Sequence, residues 1–265
     1  MQLNSKIEAN PMSNTKASLR KYLILIFVLL VIEVAPRIGS LVANRFQSQL
    51  RFLDPDQVFS WGIIHHLTQL LIVLLIMIAW PQKPLREWGF RVGDSQKGLR
   101  WISWFLIIWI GIYTILTIVN ISQNNQITTY YDVTNARNLF GELTFRGVLV
   151  GLSEETVFRS FPITLLIVYW SAKIELFHVR SNRVNISHAG ILSVVFFIYA
   201  HIAFNYYPFE IITFDIVQLI SAAGLGILYA VVFEQTKSIY YPAIIHSISD
   251  VIPVLSLVII SLVNK

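Results

Sequence analysis

Long apolar runs separated by short polar segments dominate the chain. They predict membrane-spanning helices, because a helix needs roughly 20 mostly apolar residues to cross the hydrocarbon core of a bilayer. The expected fold is therefore an all-α, polytopic helical bundle of about seven spans. The predicted spans are Tyr22–Ala43, Val58–Trp80, Trp101–Ile121, Asn138–Trp170, Ala189–Asn205, Phe209–Phe233 and Ile239–Val263.

The polar segments complete this division. Residues 1–21 are expected to form a mobile tail, residues 22–136 the N-terminal helices, and residues 137–265 a core made of the last four spans. No small-residue cleavage site follows the first run, so it is expected to be an anchor and not a removed signal peptide. Within it, Glu33 and Arg37 flank Pro36, which predicts an internal ion pair beside a kink.

Positively charged residues are unevenly distributed among the polar segments. With the N-terminus in the cytoplasm, only Arg45, Arg51, Arg137 and Lys265 fall outside. This bias predicts a cytoplasmic N-terminus and an external C-terminus. The residues placed inside are Lys6, Lys16, Arg20, Lys21, Lys83, Arg86, Arg91, Lys97, Arg100, Lys173, Arg180, Arg183 and Lys237.

Composition agrees with a membrane protein. Of the 265 residues, 55% are hydrophobic and 13% charged, and the mean hydropathy is +0.63, which excludes a soluble domain. The net charge of +5 is explained by the loop charges, so it does not indicate a nucleic-acid partner. The absence of cysteine from the sequence excludes disulfides and thiolate chemistry.

The fourth span contains two adjacent carboxylates and an arginine. Glu155 and Arg159 are four residues apart, so on a helix they share a face and can form an ion pair. Glu154 is rotated by about 100° and is left to face elsewhere. Charges at this depth are expensive and need partners, water or a function. A structural pair that locks helices together is the alternative.

Two later spans carry further polar side chains. Phe197 and His201 lie one helical turn apart, as do His246 and Asp250. Counted from the span ends at about 1.5 Å per residue, His201, His246, Asp250 and Glu154 lie at roughly 11–20 Å depth in a core about 30 Å thick. Independent structural pairs have no reason to share a depth, so one buried polar site is expected. His65 and His66 are adjacent and point to different faces, which argues against a shared metal.

Three motifs occur in this order: Glu154-Glu155-x-x-x-Arg159, Phe197-x-x-x-His201 and His246-x-x-x-Asp250. Together they resemble the motifs of the CPBP intramembrane proteases. That family includes the CAAX prenyl endopeptidases and the bacteriocin-processing and self-immunity (Abi) proteins. The Gly224-Leu-Gly226 segment and the Trp88-Gly89-Phe90-Arg91 loop are also similar to the family. The resemblance extends over about Arg137–Val254. One departure is Ser160, where many members have glycine.

The resemblance implies a role for each residue. Glu154 would be the base that activates water for attack on a peptide carbonyl, assisted by His201. Arg159 would orient Glu155, and His246 with Asp250 would stabilise the oxyanion. A Zn²⁺ ion is possible, with Glu154, His201 and His246 as candidate ligands, although the sequence has no His-Glu-x-x-His helix. Direct activation of water by glutamate is preferred.

The expected function is therefore an intramembrane endopeptidase acting on a membrane-embedded or lipidated peptide, in the bilayer of a bacterial cell. Two alternatives remain open. One is a non-enzymatic immunity or scaffolding protein that keeps the motifs as structure. The other is a small transporter using the same carboxylates, against which stands the lack of a visible internal repeat.

Overall fold

The computed structural model describes residues 11–81, 83–125, 129–179, 182–206 and 209–264. Five of its helices are long and apolar enough to cross a membrane, which confirms a polytopic, mainly helical membrane protein. The helices are α1 Pro11–Phe46, α2 Ser60–Ala79, α3 Ser95–Ser122, α4 Ala136–Thr144, α5 Gly151–Glu155, α6 Phe161–Leu166, α7 His188–Ala200, α8 Ile216–Thr236 and α9 Tyr240–Val263. The five long ones are α1, α2, α3, α8 and α9.

The first three predicted spans are confirmed. The helix α1 starts earlier than expected, at Pro11, so part of the segment predicted to be a tail is helical. Residues 1–10 lie outside the described residues. The side chains of Glu33 and Arg37 form the predicted ion pair around Pro36.

The fourth predicted span is one helical run from residue 136 to residue 166. It is not a uniform α-helix, because π-helical segments at Phe145–Val150 and Thr156–Ser160 separate α4, α5 and α6. In the second segment the Phe161 N–H donates to the Thr156 carbonyl, five residues back. Pro162 follows immediately and has no N–H to donate, so it favours a break in the regular ladder here. The two carboxylates thus lie in a short α-helix between two wider turns.

The fifth and sixth spans were predicted wrongly at the ends that face each other. The helix α7 stops at Ala200, and α8 begins only at Ile216. Between them lies an antiparallel hairpin of β3, Ala203–Tyr206, and β4, Phe209–Thr213. A second hairpin, β1 Lys173–Val179 and β2 Asn182–Ser187, lies in the segment between the fourth and fifth predicted spans, for which no secondary structure was predicted. Apolar β-branched residues are typical of strands too, so hydrophobicity alone could not distinguish the β3–β4 segment from a helix.

Helix packing positions the fourth run in the middle of the bundle. The helix α1 packs on α2, α3 on α9, and α7 on α8, while α5 contacts both α2 and α9. Gly151 makes the last contact close, because a Cβ at this position would clash with the Ala243 carbonyl oxygen of α9. The carboxylates of α5 therefore lie between α2 and α9.

The basic segments lie at one end of the bundle. The Lys21 ammonium of α1 lies 4.5 Å from the Trp170 ring, and the Asp94 N–H before α3 donates to the Thr236 carbonyl of α8. Within the described residues this end carries Arg20, Lys21, Lys83, Arg86, Arg91, Lys97, Arg100, Lys173, Arg183 and Lys237. Lys6, Arg180 and Lys265 of the predicted distribution lie outside the described residues. That this end faces the cytoplasm stays a prediction.

Candidate active site

Glu155 is held in the protein interior by two partners. Its carboxylate is fully buried, and Oε1 accepts a hydrogen bond of 2.8 Å from His246 Nδ1. Arg159 Nε lies 3.3 Å from Oε2, as the four-residue spacing predicted. The guanidinium is also fully buried and lies over the rings of Phe197, at 4.0 Å, and Tyr229, at 5.3 Å. Glu155 is therefore held by Arg159 of the fourth helical run and by His246 of α9, and its side chain is not exposed to solvent.

Glu154 has a different environment. Its side chain is 19% exposed and lines a cavity of about 480 Å³. The walls of this cavity come from α1, α2, the fourth run and the end of α7, through Arg37, Ser40, Trp61, His65, Gln69, Glu154, Phe158 and His201 among others. Of the two adjacent carboxylates, Glu154 is the one that an incoming molecule could reach.

His201 lies just beyond the last residue of α7 and faces the same cavity. Its Nδ1–H donates to the Phe197 carbonyl at 2.7 Å, and its ring meets the Phe197 ring edge to face. This hydrogen bond is the ordinary structural role of a core histidine. It also fixes the tautomer, so that Nε2 of neutral His201 is an acceptor.

His246 connects the two glutamates. While Nδ1–H donates to Glu155, Nε2 lies 3.7 Å from Glu154 Oε2 and 3.9 Å from Asp250 Oδ2. The imidazole is stacked on Tyr229 with ring centroids 4.8 Å apart, and Tyr229 Oη is hydrogen-bonded to Ser249 Oγ at 2.8 Å. The Tyr229 ring thus holds the orientation of His246, a role that sequence reasoning did not assign.

Asp250 lies at the margin of the site. It faces His246 but lines a second cavity, of about 390 Å³, together with Glu142 and Arg146. Arg146 Nε donates to Glu142 Oε1 at 2.6 Å. The structure thus places Glu154 and Asp250 beside the same nitrogen of His246, Nε2, while His201 lines the cavity that Glu154 also lines.

Sequence reasoning missed His66 of α2, whose Nε2 lies 3.9 Å from Glu154 Oε1. A chain of hydrogen bonds determines its tautomer. Ser153 Oγ donates to the His66 carbonyl, so it must accept from Gln69 Nε2, which in turn donates to His66 Nδ1. Neutral His66 therefore carries its proton on Nε2, the atom that faces Glu154. A histidine and a glutamine three residues apart in a span are the only signal that the sequence offered.

Residues 136–252 match the family model described as type II CAAX prenyl endopeptidase Rce1-like. This stretch is similar to the Rce1-like family. The match confirms the resemblance to CPBP and CAAX proteases and covers the Glu154, His201 and His246 motifs. Searches of curated proteins and of solved structures gave no match.

The Rce1-like family is a protease family of the CAAX type, so a metal at the site has to be considered. Within the residues that the structure describes, no three His, Cys, Asp or Glu side chains form a group that could hold a metal ion. Glu154, His201 and His246, the candidate ligands, do not form such a group either. The arrangement of these side chains does not fit a zinc centre.

The arrangement does fit acid–base chemistry in this Rce1-like core. One carboxylate lines a cavity and is flanked by three imidazoles, while its neighbour is fully buried and paired. His201 donates a hydrogen bond to the Phe197 carbonyl, His246 donates one to Glu155, and His66 accepts one from Gln69, so all three imidazoles are oriented. Such fixed donors and acceptors can bind water, accept its proton and stabilise a developing negative charge in a site with little water.

Proposed function

We propose that the chain is an intramembrane endopeptidase that hydrolyses a peptide bond in a membrane-associated or lipidated substrate. Glu154 is the general base. The observation that carries the proposal is the division between the two adjacent glutamates. Glu155 is buried and held by His246 and Arg159, whereas Glu154 lines the cavity beside His66 and His201.

The proposed reaction begins with a water molecule in the cavity. Glu154 removes a proton while the water oxygen attacks the peptide carbonyl carbon, with His201 Nε2 holding the second water hydrogen. His66 Nε2–H and protonated His246 are the donors nearest the negative charge that moves from Glu154 to the carbonyl oxygen. When the C–N bond breaks, Glu154 returns the proton to the leaving amine.

The test compares wild type with Glu154→Gln, which keeps the shape but cannot accept a proton. The full-length protein is reconstituted in liposomes with a quenched, fluorescent, farnesylated CAAX-type peptide. We expect kcat to fall by about 10²–10⁴-fold, the range of general acid–base catalysis. Glu87→Gln, an exposed glutamate at the basic end, is the matched control and should leave kcat unchanged.

Folding is checked in the same preparations by the free energy of unfolding in SDS mixed micelles. Full activity of a folded Glu154→Gln protein would refute the assignment of the base. A non-enzymatic immunity or scaffolding protein predicts no cleavage by wild type and full biological protection by Glu154→Gln. Proteomics of membrane peptides from cells carrying wild type or Glu154→Ala would identify the substrate.

A further inference from the structure

A third cavity lies at the basic end of the bundle, and none of the residues that line the catalytic cavity lines it. It measures about 420 Å³ and is bounded by the start of α3, the β1–β2 hairpin and the end of α8. Its lining includes Lys97, Arg100, Lys173 and Arg183, with Trp101 and Trp104 beside them. We call these six residues the basic groove.

The basic groove has an excess of positive charge. Among the described residues that line it, Glu234 is the one carboxylate, and that side chain accepts hydrogen bonds from the Ser187 N–H and hydroxyl. Lys97 pairs with Asp94 and Arg183 with Glu175. Among the described residues, the ion pairs within 4.0 Å at this groove are those two, and neither includes Arg100 or Lys173. Two cations are therefore available for an anionic ligand.

Neighbouring cations increase this excess. Arg91 Nε donates to the Lys237 carbonyl at 3.0 Å, at the rim of the same end. Burial, together with the positive charges of Lys173 and Arg91, lowers the pKa of the Lys237 ammonium, although Glu234 acts in the opposite direction. Cations that are close enough to disfavour one another's charge would be stabilised by a bound anion.

The position of α3 relates the groove to the membrane surface. Its 28 residues give a helix of about 42 Å, some 12 Å longer than a hydrocarbon core of about 30 Å. This additional length can place the first turns of α3, with Lys97 and Arg100, at the level of the lipid headgroups. Tryptophans are enriched at that level, where Trp101 and Trp104 follow.

An apolar surface continues from the groove toward the bilayer centre. On α3, Trp104 lies one turn beyond Arg100, and Ile107 and Ile108 lie one turn further. These three side chains are at least half exposed. A ligand with a phosphate in the groove could therefore lay acyl chains along α3, which a soluble phosphate could not do.

We propose that the basic groove binds the phosphate headgroup of an anionic phospholipid, with Arg100 and Lys173 as the main phosphate contacts. The charge supplies the headgroup selectivity, and the exposed apolar face of α3 holds the chains. The inference is independent of the chemistry at Glu154, since none of the six groove residues lines the catalytic cavity.

Native mass spectrometry of the full chain, released from micelles doped with phosphatidylglycerol or phosphatidylcholine, tests the proposal. We expect tighter retention of phosphatidylglycerol by wild type. Each juxtamembrane basic residue contributes about fivefold, so Arg100→Gln with Lys173→Gln should weaken that binding by roughly 25-fold. Arg20→Gln with Arg86→Gln removes the same charge from exposed positions outside the groove, and because this effect falls off within a Debye length it should weaken binding clearly less than the groove variant does.

Arg100→Lys with Lys173→Arg keeps both charges and should retain the lipid. Equal binding of the two lipids by wild type would overturn the proposal, and so would equal losses in the groove and control variants. Glycerol phosphate added at the same concentration should not displace phosphatidylglycerol. Displacement would mean that a soluble phosphate ester occupies the groove, and would also overturn the proposal.

Discussion

Replacing Arg159 by methionine tests whether this arginine holds the buried Glu155 in place or contacts the substrate. The guanidinium and the Glu155 carboxylate are both fully buried, and none of the three guanidinium nitrogens forms a hydrogen bond with a described residue. Its contacts are the ion pair at 3.3 Å and the rings of Phe197 and Tyr229. Arg159 is therefore expected to hold Glu155 and to stabilise packing, and not to touch substrate.

The expected loss in free energy of unfolding depends on the Glu155 carboxylate, which stays buried after the substitution. Removing one partner of a buried ion pair costs about 3–5 kcal/mol, mostly because the other charge stays buried. His246 still donates to Glu155, which favours the lower end of this range. Lost contacts with the two rings add roughly 1–2 kcal/mol. We expect Arg159→Met to lower the free energy of unfolding by about 4–5 kcal/mol.

The assay is unfolding in SDS mixed micelles, followed by circular dichroism, with peptide cleavage measured in parallel. Arg159→Lys keeps the charge and should lose less stability than Arg159→Met. Glu155→Gln combined with Arg159→Met removes both charges, so most of the lost stability should return. An Arg159→Met protein that is as stable as wild type yet inactive would refute this reasoning and would assign the arginine to substrate contact.

Two further predictions concern residues that the motifs did not identify. His66→Ala should lower kcat about 10- to 100-fold, the effect of losing one charge-assisted donor near Glu154, and should shift the pH profile of kcat. The control is His178→Ala, on the exposed strand β1. Unchanged kinetics in both variants would show that His66 is not part of the site. Asp54, before α2, accepts N–H groups from Val58, Phe59 and Ser60; burial raises its pKa, but these backbone hydrogen bonds outweigh burial and lower it. Its stabilising contribution should be complete above the ordinary aspartate pKa of about 3.9 and should be lost as the pH falls through the lower folded-state value. Asp54→Ala should cost about 1–2 kcal/mol in SDS unfolding at pH 7, and a stability equal to wild type at pH 7 would contradict this account.

The sequence predicted the helices best where apolar runs were long and ended at polar segments. The helices α2, α3 and α9 begin and end within a few residues of the predicted spans, apart from the start of α3 at Ser95. The hairpin β3–β4 was missed because Phe209, Ile211 and Ile212 extend an apolar run without indicating its secondary structure. Such a run is compatible with a strand or a helix, and only tertiary packing decides.

Contacts within the site were predicted where both residues lie within one turn of the same helix. Glu155 with Arg159 follows from spacing alone, whereas the contact of His246 with Glu155 joins residues 91 apart. The contact of α2 with α5, which brings His66 to Glu154, likewise depends on helix packing that one sequence does not reveal. The π-helical segments on both sides of α5 had no sequence signal beyond Pro162.

The shortness of α7 has a consequence for the supply of water. Its 13 residues span about 20 Å, roughly two thirds of a hydrocarbon core, and His201 lies at its end. The remaining depth on that side is taken by a two-stranded hairpin, whose outer backbone groups need hydrogen-bond partners. Lipid tails offer none, so the aqueous boundary must dip toward His201. Hydrolysis at this site should therefore depend on bilayer thickness, because thicker membranes move that boundary away from Glu154.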